Sequence, residues 1–341
     1  MLNKHLEELC LLCAASGNEK AVSEYIYENT KHYAESIKID PLGSVIVEKK
    51  GRKPSPKKLM VSAHMDEVGL IITYINDDGT MQIAPVGGID ASVVIGRPVL
   101  VGDNNINGVI GAKPIHLLNS KQRGELPKFS ELYLDIGAEN KKQAEKIVSL
   151  GTYVHFLPSF TRMGGSKVCS KAFDDRIGCA IMLELIKEEL PYDVTFAFLV
   201  QEEVGLRGAK AAAFSVNPDI AIVLEATTAA DIPGANDDAK VCSLGNGPVV
   251  SFMDKSTIYD RELYNLAFAE CERMGIPCQT KTRIAGGNDS GAIHISRGGV
   301  RTIAVSAPCR YIHSPSSVAD LNDIENCLKL TKAMIEKAVE I

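Results

Sequence analysis

Leu59-Met60-Val61-Ser62-Ala63-His64-Met65-Asp66-Glu67-Val68-Gly69 is the stretch on which the reading of this chain turns. Its first five residues are apolar or small, and a histidine, an aspartate and a glutamate follow abruptly. A short apolar run without alternation reads as a strand buried on both faces of a parallel or mixed sheet. Polar groups just beyond the carboxyl end of such a strand stand where open α/β sheets bind their ligands. From residue 70 to about 156 the texture changes to short alternating segments at 71–75, 81–84, 99–101 and 109–110. Asp-Gly, Gly-Gly, Asn-Asn and Asn-Gly pairs separate them. This predicts a small β-barrel or β-sandwich, interrupted by one short helix near 141–149. An all-β insertion thus begins where the buried strand ends.

Working outward, the N-terminal side holds a helix with apolar Leu2, Leu6, Leu9 and Cys13. A second helix is expected to open at the capping-box pattern Ser16-Gly17-Asn18-Glu19 and to bury Val22, Tyr25 and Ile26. Two strands flank the turn Asp40-Pro41-Leu42-Gly43. Beyond the insertion, strands and helices alternate: helix 174–189, strand 194–200, helix 205–213, strand 219–224, strand 248–253, helix 260–274, helix 289–296, strand 301–306 and helix 320–338. The expected architecture is an α/β fold made from 1–67 and 157–341, with a mixed sheet between helices, and an inserted all-β domain at 68–156.

The chain has 341 residues with 37 Lys and Arg against 43 Asp and Glu, a formal charge of −6. No basic run is long enough to neutralise many phosphates or to dock on an anionic bilayer, so neither nucleic acid nor a membrane is an expected partner. The longest apolar stretches fall far short of a membrane span, and acids interrupt the first eight residues where an export signal needs an apolar run. Nine scattered cysteines suit free thiols in a reducing cytoplasm. Cys10 and Cys13 have C-x-x-C spacing, but they sit in an apolar helical pattern and read as small buried hydrophobes.

The informative pattern is where metal-type side chains fall. His64 and Asp66 follow strand 59–63, Glu202 and Glu203 follow strand 194–200, Glu225 follows strand 219–224, and His313 comes soon after strand 301–306. Asp174 and Asp175 open a helix, where the positive end favours carboxylates. Taken singly, each has an ordinary reading: a structural histidine, a helix cap, a solvated strand end. Taken together, they place two histidines and several carboxylates at one edge of a sheet. That nitrogen and oxygen set suits Zn²⁺, Co²⁺ or Mn²⁺ better than Ca²⁺ or a thiolate site. Neighbouring Glu202 and Glu203 can divide ligation from proton transfer, because adjacent side chains leaving a strand point to opposite sides.

Four segments carry a resemblance: Ser62-Ala63-His64-Met65-Asp66-Glu67-Val68-Gly69, Ala172-Phe173-Asp174-Asp175-Arg176-Ile177-Gly178, Gln201-Glu202-Glu203-Val204-Gly205-Leu206-Arg207-Gly208-Ala209 and Arg310-Tyr311-Ile312-His313-Ser314-Pro315. In this order they resemble the dimetal aminopeptidases of the glutamyl aminopeptidase and tetrahedral (TET) aminopeptidase family, over nearly the whole chain. The resemblance implies a phosphorylase/hydrolase-like α/β catalytic domain with an inserted β-barrel used in dimer contacts, often within a dodecamer. It implies two divalent ions per subunit, with Asp174 bridging them, His64 and Glu225 completing one site and Glu203 and His313 the other. Glu202 would be the general base, Asp66 would hold the far ring nitrogen of His64, and the Asp174-Asp175 peptide would be cis. The substrates would be short peptides with a free N-terminus.

Two departures bear on the site. The family most often has aspartate where Glu225 stands, and Gly286-Gly287-Asn288-Asp289-Ser290 resembles a Gly-Gly-Thr-Asp-Ala segment with Asn288 and Ser290 changed. Gly287 and Arg310 are candidate substrate-pocket residues, Arg310 having a strand-end salt bridge as its ordinary reading. Alternatives are a dimetal deacylase or carboxypeptidase-type hydrolase of the same clan, an endoglucanase-type glycosidase, which would leave both histidines without a role, and a non-enzymatic scaffold.

Overall fold

In the computed structural model, which describes residues 1–120 and 122–341, the N-terminal segment forms α1 (Leu2–Leu11), α2 (Lys20–Thr30), β1 (Ser36–Ile39), β2 (Val45–Lys49) and β3 (Leu59–His64). Next come the six strands of the insertion, β4 (Gly69–Ile75), β5 (Met81–Val86), β6 (Pro98–Val101), β7 (Ile106–Ala112), β8 (Leu132–Asp135) and β9 (Tyr153–Phe156), with α3 (Lys141–Ala144) between the last two. The order β4-β5-β8-β7-β6-β9 closes on itself, so the insertion is a barrel and not a sandwich. Closure removes both sheet edges, and alternate residues such as Leu70, Ile72, Val99, Val101 and Leu134 fill the interior.

The rest of the chain supplies β10 (Phe160–Arg162), β11 (Lys167–Ser170), α4 (Phe173–Lys187), β12 (Val194–Leu199), α5 (Arg207–Val216) and β13 (Ile220–Thr228). Then follow β14 (Val249–Val250), α6 (Arg261–Met274), β15 (Gln279–Thr280), α7 (Ser290–Ile293), β16 (Arg301–Arg310), β17 (Ser317–Asp320) and α8 (Leu321–Lys337). The main sheet runs β1-β2-β12-β3-β13-β16-β17-β11-β10. Its centre, β12-β3-β13-β16, is parallel and its flanks are antiparallel, the mixed sheet expected. All six residues of β3 are buried. Leu59, Val61 and Ala63 face the side covered by α1, α4 and α8, while Met60 faces the alanine-rich side of α5 and α7. This two-sided burial is why the run 59–63 carries no alternation.

Several elements differ from their expected extents. β13 runs three residues past Glu225, which pairs with Ser306 inside the parallel ladder, so this carboxylate lies in a strand and not after one. β16 reaches Arg310 for the same reason, the two strands prolonging each other. The helix expected at 289–296 is a single turn, and the strand expected at 248–253 keeps only two paired residues. The capping box is absent. Helix α2 starts at Lys20, Ser16 Oγ donates to Asp66 Oδ2 at 2.6 Å, and Glu19 accepts from the amides of Gly17 and Gln201. Long-range partners outcompete the local cap there. All nine cysteines are free, and no helix among the described residues is long and apolar enough to cross a membrane.

Candidate active site

Parallel strands β12, β3 and β13 end at one edge, and α4 packs on β3 and β13. His64 is the last residue of β3, with its ring buried. Its Nδ1 lies 3.1 Å from the backbone carbonyl of Asp66 and 3.5 Å from Asp66 Oδ1, which leaves Nε2 to face forward. That nitrogen lies 3.3 Å from Asp174 Oδ1 and 3.9 Å from Glu225 Oε2. The other oxygen of Asp174 lies 3.4 Å from His313 Nε2, which is itself 3.4 Å from Glu203 Oε2. Asp174 therefore stands between two donor groups, His64 with Glu225 and His313 with Glu203. Within each group the donor atoms lie within 4.8 Å of one another.

The local backbone explains how Asp174 arrives there. Asp174 and Asp175 are non-helical at the start of α4 and their shared peptide is cis, as the resemblance implies. Gly178, one turn later, lets α4 press onto the end of β3. A Cβ there would stand 2.8 Å from the Ala63 methyl and 2.4 Å from Asp175 Oδ2. At the end of β12, Gln201 takes φ +56°, turning the chain so that Glu202 and Glu203 leave the sheet. Their amides both donate to the Asp66 carboxylate, at 3.0 and 3.2 Å. Asp66 thus fixes the imidazole of His64 on one side and the Glu202-Glu203 backbone on the other.

Charge is crowded here. Burial, followed by the neighbouring Asp174, pushes Glu203 up to about 7. Burial raises Glu202 and Glu225 well above the usual carboxylate range and brings Asp289 to about 7. Burial also acts against ionisation of Asp174, but its contacts with His313 and His64 outweigh that and hold it below its ordinary value. His313 rises to about 9, mainly through Asp174. Burial works against a charged His64, yet Asp174 and Asp66 raise it well above a free imidazole. Glu225 Oε1 and both oxygens of Asp289 are buried without a hydrogen-bond partner. Carboxylates that burial drives toward protonation, facing two imidazoles, are a donor set completed by cations, so these residues fit divalent metal ions.

A cavity of about 360 Å³ opens from this cluster, lined by His64, Asp174, Glu202, Glu225 and His313 together with the 285–288 loop. Gly287 is on its wall, where a Cβ would meet Ser256 Oγ at 2.6 Å. Arg310 is not. Its guanidinium donates twice to Asp231, each bond 2.7 Å, so the strand-end salt bridge is the reading that the geometry supports. Missed from the sequence were Ser16 and Glu19, which brace the loops behind the site. Also missed was a fully buried trio in which Lys171 Nζ lies 2.7 Å from Glu67 Oε1 and Arg176 Nη2 lies 3.6 Å from it. The signal for the trio was a lysine and an arginine flanking Asp174-Asp175, which local spacing alone cannot connect to Glu67.

Comparison with known proteins bears on the same residues. The family model described as M42 glutamyl aminopeptidase matches residues 43–330, a range that includes every candidate ligand. The lysyl aminopeptidase of Pyrococcus furiosus is 33% identical, the match covering 93% of this chain and 91% of the relative. The glutamyl aminopeptidase of Lactococcus lactis subsp. cremoris is 31% identical over 96% of this chain and 95% of its own. The solved Pyrococcus horikoshii TET1 peptidase, described as assembling into a tetrahedron or a large octahedral shell, superposes with a TM-score of 0.87. It is 34% identical, covering 98% of this chain and 99% of its own. None of these three names favours the deacylase or carboxypeptidase alternatives. The glycosidase name appears on a solved Thermotoga maritima structure described as an endoglucanase, 34% identical over 98% of this chain and 97% of its own with a TM-score of 0.81. The chain belongs to the M42 glutamyl aminopeptidase family and is a hydrolase of the aminopeptidase class.

Proposed function

We propose that this chain removes N-terminal residues from short peptides at the site around Asp174, with His64 and Glu225 holding one divalent ion and Glu203 and His313 a second. The observation that carries the reading is the position of Asp174, one oxygen toward each histidine, between two donor groups. Zn²⁺ and Co²⁺, with Mn²⁺ after them, suit such a donor set. When bound, the ions supply Lewis-acid polarisation of a scissile carbonyl and a water of lowered pKa.

The chain's own groups do the rest. Glu202, on the cavity wall and pushed up by burial, is poised to take a proton from water and return it to the leaving amine. Asp66 keeps the His64 ring turned so that Nε2 faces the site. The cavity beside Gly287 receives the side chain of the first residue. The barrel at 68–156 serves as the dimerisation domain, and dimers build a homo-oligomer, a dodecamer by analogy with the solved PhTET1-12s, described as a dodecamer in the asymmetric unit. The nine free thiols favour a cytoplasmic location, and fractionation into an oxidising compartment would contradict it.

The test is Glu202→Gln in protein stripped with a chelator and reloaded with Zn²⁺ or Co²⁺. The wild type should lose turnover of aminoacyl anilides on chelation and regain it on reloading. The variant should bind the same metal yet turn over roughly 10²–10⁴-fold more slowly. Full activity in the metal-loaded variant would refute the assigned base. Cleavage of N-acetylated peptides alone would refute the aminopeptidase reading itself.

A further inference from the structure

Residues 285–287 form one wall of the cavity, yet the whole run 282–287 is exposed and belongs to no helix or strand. Such a segment keeps one shape only where side chains and neighbouring turns hold it. Asn288, next along and also on the cavity wall, is its first buried side chain. Both ends of its amide are engaged: Oδ1 accepts from the Ser290 amide at 2.9 Å, and Nδ2 donates to the Tyr259 hydroxyl oxygen at 3.1 Å. That hydroxyl donates in turn to Asp254 Oδ2 at 2.6 Å. Burial, followed by Asp254, raises the Tyr259 phenol above its ordinary pKa, so it stays a donor. The other oxygen of Asp254 accepts from the amides of Ser256 and Thr257, each at 2.8 Å, and closes the turn 254–257. This turn holds the wall at two further points. The Lys255 amide donates to the Gly286 carbonyl at 2.9 Å, and Ser256 Oγ would stand 2.6 Å from a Cβ at Gly287 and 2.5 Å from one at Gly291. Glycine at both positions lets the turn seat against the wall. The Tyr259 ring lies in the core of the α/β domain while its hydroxyl reaches this polar network. The wall therefore takes its position from a core residue that is not itself on the cavity surface.

We propose that Tyr259 is a positioning residue for the aminopeptidase reaction, its hydroxyl acting through Asn288 to fix the wall against which the first residue of the substrate packs. The assignment rests on the aminopeptidase reading and adds to it the means by which the pocket keeps its shape, whatever first residue it prefers. A wall without this hold would have to be ordered by each substrate as it binds, and that ordering opposes binding. The loss falls on KM and leaves the metal ligands and Glu202 in place.

The experiment compares Co²⁺-loaded wild type, Tyr259→Phe, Asn288→Ala and the double variant on alanyl, leucyl, lysyl and glutamyl p-nitroanilides. KM, and ratios of kcat/KM between substrates, do not depend on the folded fraction, so a less stable variant remains readable. Tyr259→Phe should raise KM for the preferred substrate by about five- to tenfold, the effect of losing a buried hydrogen bond, with kcat held within about twofold. Preference among the four substrates should narrow, and Co²⁺ affinity should match that of wild type. Asn288→Ala should do the same, and the double variant should be no worse than either single one, because both changes cut one linkage. An unchanged KM in Tyr259→Phe, a kcat loss larger than the KM rise, or effects that multiply in the double variant would overturn the role of Tyr259 alone. Wild type inert on every one of these free-amine substrates would overturn the aminopeptidase reading and Tyr259 with it.

Discussion

Asp66 has more work than its neighbours. It touches Ser16, the amides of Glu202 and Glu203, and the ring of His64, while contributing no atom to either donor group. Replacing it with asparagine puts an NH₂ among donors that need an acceptor. Asp66→Asn should weaken metal binding by roughly 10–100-fold, the usual cost of losing a group that orients a ligand. Competition against a chromophoric chelator measures it, and unchanged affinity in a folded variant would contradict the role. The residue types of the site were legible in the chain because a histidine or carboxylate interrupting an apolar strand has few other reasons to be there. Ser16 was not legible: its spacing to Glu19 satisfies a local capping rule, and only the folded chain reveals that Asp66 takes the hydroxyl instead.

Elements meet at the Glu67, Lys171 and Arg176 trio. Glu67 follows β3, the two cations bracket the start of α4, and the carboxylate also accepts from the amide of Ala14 at 3.1 Å. One buried anion thus ties together the segments that carry His64 and Asp174. Burial acts against its ionisation, but Lys171 and then Arg176 outweigh it and hold Glu67 below its ordinary pKa. A carboxylate depressed on folding stabilises the protein at pH values above its unfolded pKa, near 4.3, and that stability fades as pH falls through the lower folded value. Glu67→Gln, which strands two buried cations, should therefore cost about 3–5 kcal/mol at pH 7. The gap to wild type should narrow between about pH 4 and 3, below the unfolded pKa. Urea melts at both ends of that range decide it, and a gap independent of pH would mean that charge is not what the trio contributes. Element types came through the sequence well where burial was two-sided, as in β3. The extents of β13 and β16 did not, because hydrogen bonding to a parallel neighbour carries each strand past the end of its apolar run.

For the whole molecule, the remaining question is assembly. The segment between β7 and β8 carries exposed apolar side chains, Ile115 at 71%, Leu117 at 56% and Leu126 at 74%, and Ile115 and Leu126 line one shared cavity. Sedimentation or mass photometry at micromolar protein should report a species of several subunits. Charged substitutions at Leu126 and Ile115 should reduce its mass, and a wild type that stays monomeric would refute the oligomer. Charge and its distribution made nucleic acid and membrane partners unexpected, and the order of apolar and polar segments determined the mixed sheet, the insertion and the side chains available for chemistry, because burial selects residue type position by position. Tertiary structure decided which of those side chains meet. Asp174 between two histidines, Arg310 turned to Asp231, and Gly287 on the wall of the cavity all depend on contacts between residues far apart in the chain, which local periodicity does not encode.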